Sequence, residues 1–418
     1  MPFAAYLNFA TDHRRFLSFG FVLAFASSFG QTFFIGLFGP DIQQTFDLSK
    51  TEWGAIYMVG TLASAAVFAW TGKLIDRVDL RVYSLTVCGL LALACFGLAL
   101  VNSLSMLIVV IFLLRQAGQG LASHVAMTSM ARYFEAGRGR AIALASLGFA
   151  AGEALLPIIA VLAITAFGWR WTYAGVGLII AGVFLPAVAW LLANHPARHQ
   201  AYLQELRAQN GDHNAHGQGW TRRTVMRDSR FLMVLPGVVA PPLILTGLFF
   251  HHLTLADAKG WSYAWITGSY GFYAGAGILA SLLAGRLVDR FGAASVLPFM
   301  LPPLATGLLL IAWLDAPWVA WPYLCLLGIS TGLLVAPASA LWAELYGSAN
   351  LGAIRSLVTA LNVFASALGP VILGGLMDRG LSIEFVCVVF AGYALVGTVL
   401  ISIALRRVGS PQAHHTGH

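Results

Sequence analysis

The sequence predicts an all-α integral membrane protein with twelve transmembrane helices in two pseudo-symmetric six-helix bundles. Three observations lead there. Apolar residues make up 59% of the 418 residues and charged ones 10%, where a soluble chain carries roughly a quarter charged. The apolar residues fall into about twelve blocks near or above the ~20 residues needed to cross a hydrocarbon core. Finally, Gly72-Lys73-Leu74-Ile75-Asp76-Arg77 recurs 213 residues later as Gly285-Arg286-Leu287-Val288-Asp289-Arg290. A charge-dense hairpin repeated once per half implies two homologous bundles.

In chain order the predicted spans are 16–38, 53–71, 82–101, 106–131, 140–167, 171–192, 231–255, 262–285, 294–314, 318–345, 352–376 and 383–405. They must be helices, because an unpaired backbone cannot sit in lipid. The irregular segment 193–230 separates spans 6 and 7. The expected organisation is therefore an N-terminal bundle (1–192), a cytoplasmic linker (193–230), and a C-terminal bundle with a short cytoplasmic tail (231–418).

Lysine and arginine counts set the orientation. With the N-terminus inside, cytoplasmic segments hold nineteen of these residues, from Arg14 to Arg407, and the outer loops hold four: Lys50, Arg170, Lys259 and Arg379. Both termini are therefore expected in the cytoplasm of a bacterial-type inner or plasma membrane. The net charge of +7 reports this topology and contact with anionic headgroups, not nucleic acid. The first apolar block is too long for a cleavable signal and is followed by Pro40-Asp41. Cys88, Cys95, Cys325 and Cys387 fall inside spans without metal-ligand spacing and read as packing residues.

The repeat reaches beyond the hairpins. Arg138-Gly139-Arg140-Ala141-Ile142 opening span 5 corresponds to Asn350-Leu351-Gly352-Ala353-Ile354-Arg355 opening span 11, and Pro157 corresponds to Pro370. Gly118, Ala122 and Ala126 on span 4, and Gly271 with Gly275 on span 8, mark expected helix contacts, since small residues let backbones approach. His195, His199, His213 and His216, and the tail residues His414, His415 and His418, read as solvated loop rather than a metal site.

On these residues the chain resembles the major facilitator superfamily, over essentially its whole length. The family hairpin Gly-x-x-x-Asp-Arg-x-Gly-Arg-Lys/Arg reads here Gly72, Asp76, Arg77 and Arg81, with Asp79 at the eighth place and Leu80 at the ninth. The second copy keeps the glycine as Gly292 but lacks the basic residues that follow. Arg115 and Gly120 match the family's helix-4 pattern, and Gly168-Trp169-Arg170-Trp171 its helix 5–6 turn. The resemblance implies a secondary transporter. Drug–proton antiporters of the family carry a Gly-Pro-x-x-Gly-Gly-like stretch on helix 5. Here that helix reads Gly148-Phe149-Ala150-Ala151-Gly152-Glu153, and the nearest approximation, Gly369-Pro370 with Gly374-Gly375, sits on helix 11. The block from Phe29 to Pro40 loosely resembles monocarboxylate or oxalate–formate carriers, although helix 8 lacks their basic residue.

Ionisable side chains at mid-membrane cost a few kcal/mol and need a reason. Counting ~1.5 Å per residue places Arg115 roughly 24 Å and Glu153 roughly 20 Å from the cytoplasmic ends of their spans. Gln31, Thr246, Tyr270, Ser330 and Ser366 fall between roughly 20 and 23 Å, a level where carriers place their substrate. Arg115 and Glu153 are expected to pair, which reduces the cost of two buried charges. Glu153 then either exchanges a proton with Arg115 or an incoming anion, or forms a permanent structural ion pair. Gln119, one turn from Arg115, is its companion, whereas His124 faces the opposite side and reads as packing. On span 11, Arg355, Thr359, Asn362 and Ser366 form a polar stripe that lines the cavity or bonds a neighbouring helix. Tyr273 adds an aromatic wall. His251 and His252, near the outer end of span 7, read either as a gate or as inert interfacial residues.

The hairpin residues Gly72, Asp76, Arg77, Gly285, Asp289 and Arg290 read as a conformational latch. Asp76 and Asp289 would face the positive dipole ends of helices 11 and 5, with Gly72 and Gly285 allowing close approach. Breaking the latch would permit rocking of two rigid halves. The reading is a secondary carrier, proton-coupled, for a small organic anion such as a monocarboxylate. The alternatives are a drug or toxic-metabolite exporter, supported by Trp342, Tyr273 and Phe149, and a membrane sensor on a carrier scaffold. No nucleophile elbow, metal-ligand set or nucleotide loop points to an enzyme. The expected partners are a solute, protons and the bilayer, with no nucleic acid, no cofactor, no metal and a monomeric state.

Overall fold

The computed structural model describes residues 9–134, 137–193, 195, 222–347 and 350–406. His199, His213, His216, His414, His415 and His418 lie outside them. Among the described residues, eleven helices are long and apolar enough to cross a membrane, and one bent pair, taken as a single span, makes a twelfth. They are α1 (Arg14–Gly30 and Thr32–Phe46, bent by 45°), α2 (Lys50–Asp76), α3 (Leu80–Ala99), α4 (Leu104–Tyr133), α5 (Arg138–Phe167) and α6 (Trp169–Leu191). There follow α7 (Ser229–Phe250), α8 (Tyr263–Phe291), α9 (Ala293–Trp313), α10 (Pro317–Tyr346), α11 (Leu351–Asp378) and α12 (Ile383–Leu405). No strand occurs among the described residues.

Helix starts follow local chemistry. Ser49 and Glu52 form a reciprocal capping box at α2, with the Glu52 amide donating to Ser49 Oγ (3.1 Å) and the Ser49 amide to Glu52 Oε2 (2.8 Å). Asp79 accepts from the Arg81 and Val82 amides at the start of α3, and Ser103, Ser262 and Ser382 cap α4, α8 and α12. Between α5 and α6 the chain turns at Gly168, φ +81°, a conformation that costs glycine little.

The chain divides into two compact units. The first comprises Met1–Asn214, Phe249–Gly271 and Pro370–Gly374; the second comprises Ala215–Leu248, Phe272–Gly369 and Gly375–His418. In the first, α1 packs along α5, α2 on α4, and α3 on α6. In the second, α9 packs on α10 and α12. Leucine, isoleucine and valine stand exposed along the outside (Leu93, Leu162, Leu178, Leu279, Leu282 and Val396), and Trp70, Trp171, Trp190 and Trp313 stand exposed near helix ends. Such surfaces suit lipid tails and the interfacial belts.

Three expectations change. Span 1 is not one straight helix: Gln31 is extended (φ −81°, ψ 155°), in a stretch that Gly30, Gly36 and Gly39-Pro40 weaken as helix. Span 7 ends at Phe250, and a separate short helix, His252–Lys259, follows. The contact ladder expected at Gly271 and Gly275 does not form, because a Cβ at either would meet nothing within 4 Å. α10 supplies it instead: a Cβ at Gly328 would lie 2.3 Å from the Tyr273 carbonyl, and at Gly332 2.5 Å from that of Gly277. On α4 the expected contact holds at Gly118, where a Cβ would lie 2.7 Å from Gly30 Cα.

Candidate functional site at the break in helix α1

In the first unit, the break at Gly30–Gln31 is where polar side chains collect. Two helices abut it through glycines. Gly118 of α4 touches Gly30, and Gly152 of α5 faces Ser28, whose Oγ lies 2.0 Å from where a Cβ would stand. With no side chain in the way, α4 and α5 pack closely on the break, which Arg115 reaches through the Gly30 carbonyl, and Glu153 follows Gly152 on α5.

Arg115 is buried, 3% exposed. Its Nε donates to Thr61 Oγ1 (3.1 Å), and its Nη1 to the Gly30 carbonyl (3.1 Å) and Thr32 Oγ1 (3.5 Å). The guanidinium carbon lies 5.0 Å from the centre of the Tyr57 ring, and the Tyr57 hydroxyl shares a hydrogen bond with Thr32. An arginine at mid-membrane costs about 2.5–3.5 kcal/mol by insertion scales, and an interhelical hydrogen bond contributes about 0.6–1.7 kcal/mol. The bonds are therefore large enough to hold the side chain in place. All its partners are neutral, and no carboxylate lies within 4.0 Å among the described residues. The charge is solvated but not compensated.

The expected Arg115–Glu153 ion pair is thus corrected. Equal depth along two helices does not fix the direction of each side chain, and α4 turns Arg115 toward α1 and α2. Glu153 is half-buried and has no hydrogen-bond or ion-pair partner among the described residues.

From Arg115 to Ala122, α4 is π-helical, a local widening that recurs at functional sites. Two glutamines in this stretch behave differently. Gln116 is engaged at both ends of its amide: its Oε1 accepts from Ser64 (2.9 Å) and its Nε2 donates to Thr71 (2.7 Å). Gln119 Oε1 is buried without a partner. Gln31, at the break itself, is half-buried.

Farther along the same pair of helices lies the first hairpin. α2 tightens into a 3-10 turn at Gly72–Asp76, and its terminal carbonyls are taken by side chains, as helix ends require. Tyr83 donates to the Thr71 carbonyl (2.8 Å), His124 Nε2 bonds that of Gly72 (3.2 Å), and Arg132 donates to that of Ile75 (3.1 Å) while pairing with Asp76. His124 is the satisfied residue the sequence indicated, with a capping role on α2. A cavity of about 210 Å³ beside this hairpin is lined by Arg77, Asp79, Arg132 and His195 among others. His195, expected in a solvated loop, is 1% exposed, with Nε2 3.4 Å from the Tyr133 hydroxyl and its ring over Phe16.

Elsewhere in the first unit, Tyr270 is fully buried and its hydroxyl lies 2.6 Å from His252 Nδ1. His251 Nε2 bonds the Pro370 carbonyl at 3.0 Å. Both histidines are structural links here, and the Tyr270 hydroxyl is engaged.

The second unit holds the remaining expected residues, and none is ionised near mid-helix. Ser330 is fully buried and its Oγ has no partner, nor has the buried Asn362 Oδ1. The Tyr273 hydroxyl bonds Thr331 Oγ1 at 3.1 Å, and Ser366 Oγ donates to its own helix at the Val363 carbonyl (2.8 Å). Thr246 is half-buried on α7. Trp342, expected as lining, is 2% exposed and packs on Phe231 and Tyr346. Asp289 and Arg290 lie on the continuous last turns of α8, both exposed, and Gly285 makes no close approach: a Cβ there would meet nothing within 4 Å.

Sequence reading missed Tyr57, Thr61 and Gln116. The signal was present as a polar stripe on α2: Tyr57, Thr61, Ser64 and Thr71 recur at helical spacing on an otherwise apolar span.

Comparison with known proteins agrees with this architecture. The profile of the Major Facilitator Superfamily matches residues 20–370. An uncharacterised MFS-type transporter of Bacillus subtilis (strain 168), YcxA, is 28% identical over 298 residues, 68% of this chain and 69% of that protein. Among solved structures, a bacterial homologue of the human lysosomal transporter Spinster, in an inward-facing and occupied conformation, aligns with TM-score 0.68 and 14% identity over 99% of this chain and 100% of that one. The nucleoside transporter NupG aligns with TM-score 0.68 and 14% identity over 93% of this chain and 98% of that one. A point mutant of NupG aligns with TM-score 0.70 and 15% identity over 93% and 99%. At these identities the structures speak to the fold, and the profile carries the assignment: this chain is an integral membrane transporter of the Major Facilitator Superfamily.

Proposed function

We propose that the protein is a proton-coupled secondary carrier of a small organic anion, a monocarboxylate or close relative. It works by rocker-switch alternating access in a plasma or bacterial inner membrane, with both termini cytoplasmic. The observation that carries the reading is Arg115: a buried cation held by Thr61, Thr32, the Gly30 carbonyl and the Tyr57 ring, with no carboxylate within 4.0 Å among the described residues. An anionic solute supplies the missing charge, and a charge-assisted hydrogen bond in such surroundings is stronger than a neutral one.

Glu153 supplies the proton site. It follows Gly152, which packs on the same break from α5, and has no hydrogen-bond or ion-pair partner among the described residues. Protonation of Glu153 and anion binding at Arg115 together leave the unit with no added net charge, which lowers the cost of carrying the solute through a low-dielectric barrier.

The test is thermal stabilisation of the purified protein by small carboxylates and by lipophilic cations, at mildly acidic and at neutral pH, in wild type and Glu153→Gln. Stabilisation by a carboxylate, with its pH dependence lost in the variant, supports the proposal. Stabilisation by lipophilic cations alone replaces it with the exporter reading.

A further inference from the structure

Two adjacent rings at the end of α7 have different neighbours. Phe249 and Phe250 are both buried, and both cluster with the first unit. Phe249 packs on His252 and Tyr270, with ring centres 5.2 Å apart in each case. Phe250 packs instead on Trp53 and Tyr57 of α2, at 5.1 and 4.7 Å. Its backbone is seated on α1 at Gly36, where a Cβ would lie 2.8 Å from Phe250 Cα. A side chain there would unseat it.

Tyr57 is the neighbour that Phe250 shares with Arg115. It is fully buried and reaches the guanidinium by two routes. Its ring centre lies 5.0 Å from the guanidinium carbon. Its hydroxyl shares a hydrogen bond with Thr32, which accepts from Arg115 Nη1 at 3.5 Å. The bond to Thr32 fixes the tip of the tyrosine, and contact with Phe250 fixes the tilt of its ring. A cation–π contact depends on that tilt, because the cation must lie over the ring face.

We propose that Phe250 is a positioning residue of the Arg115 site. It acts through Tyr57, holding the ring against the guanidinium so that the cation is preorganised for the solute. Solute affinity therefore depends on the end of α7 being seated on α1 and α2. The inference rests on the reading of Arg115 as the solute's counter-charge.

The experiment measures propionate affinity for the purified full chain by calorimetry. Wild type is compared with Phe250→Leu, Phe249→Leu, Tyr57→Leu, and Tyr57→Leu combined with Phe250→Leu. Both phenylalanine variants lose ring packing, and only Phe250→Leu withdraws support from Tyr57. It is expected to weaken propionate roughly three- to tenfold, the span of a cation–π contact. Phe249→Leu should leave affinity unchanged, and Phe250→Leu should add nothing once Tyr57 is leucine. Unchanged affinity in Phe250→Leu, equal weakening in both phenylalanine variants, or further weakening without Tyr57 overturns the role of Phe250 and leaves the anion carrier standing. Failure of propionate to bind wild type overturns the anion reading, and melting temperatures then decide on Phe250. The losses in Arg115→Met and Phe250→Leu should be non-additive with Tyr57 present and additive in Tyr57→Leu; additive losses in both backgrounds overturn the positioning role. Phe250→Met takes the place of Phe250→Leu, with the same outcomes, if the latter does not fold.

Discussion

In the first hairpin, α2 tightens into a 3-10 turn at Gly72–Asp76, and the end of α4 reaches it with a cation, Arg132, on Asp76 and the Ile75 carbonyl. In the second, Gly285–Arg290 stays helical to Phe291 and the chain turns at Gly292, φ +78°. There the end of α10 reaches the hairpin with an anion: Glu344 accepts from the Ala293 and Ala294 amides (2.8 and 3.3 Å) at the start of α9. Near-identical motifs thus carry opposite partners, one closing a helix C-terminus and the other a helix N-terminus. Each partner has the sign that the adjoining helix dipole favours. The same asymmetry holds deeper down, with Arg115 and Glu153 in the first unit against Ser330, Asn362 and Tyr273 in the second. The two units share the hairpin motif, while the mid-helix Arg115 and Glu153 lie in the first.

The largest effect expected from breaking this asymmetry is at Arg115. Arg115→Met removes the cation and leaves Thr61, Thr32 and the Gly30 carbonyl without their donor. Truncating one partner of a buried charged contact costs about 2–5 kcal/mol, so carboxylate binding by calorimetry should fall below detection. Retained binding would show that the charge lies elsewhere.

Next are the hairpin partners. Glu344→Gln weakens the α9 cap, and loss of such a cap costs about 0.5–2 kcal/mol, read as a lower melting temperature. Asp76→Asn removes a pair whose side chains are 19% and 60% exposed, so its stability cost is under about 1 kcal/mol. Its informative readout is cysteine labelling from the side of the membrane on which this hairpin lies. A rise is the outcome expected of a latch, and unchanged labelling would remove the latch from the account.

Smallest is the glycine pair. A Cβ at Gly72 would press on the Phe68 ring at 3.1 Å, whereas at Gly285 it would meet nothing within 4 Å. Gly285→Ala should therefore be neutral or gain up to about 1 kcal/mol from helix propensity, and Gly72→Ala should gain less. A loss at Gly285 would mean that this face is covered during the transport cycle.

What could be read from the sequence divides along physical lines. Span number and position follow from hydrophobic length, which lipid enforces, and the depth of Arg115 and Glu153 follows from the rise per residue. The direction of a side chain around its helix depends on packing. Hence Arg115 and Glu153, expected at a similar depth, do not pair, and Arg115 instead bonds Thr61 and the Gly30 carbonyl. The α1 break is written in Gly30, Gly36 and Gly39-Pro40, but glycines in membrane helices also serve as contacts, and only the structure separates the two uses. Gly285 shows the converse, a motif glycine inside a continuous helix. His195 departs from its loop reading because its polar neighbours in sequence say nothing of Phe16 and Tyr133, which reach it from distant helices.

The central claim is that Arg115 binds an anion and Glu153 carries the coupled proton. Its most direct test is carboxylate uptake into proteoliposomes, driven by a proton gradient and, separately, by exchange without a gradient. The account predicts that wild type performs both, that Glu153→Gln keeps exchange but loses gradient-driven accumulation, and that Arg115→Met loses both. Gradient-driven accumulation undiminished in Glu153→Gln, or carboxylate transport surviving in Arg115→Met, would contradict it.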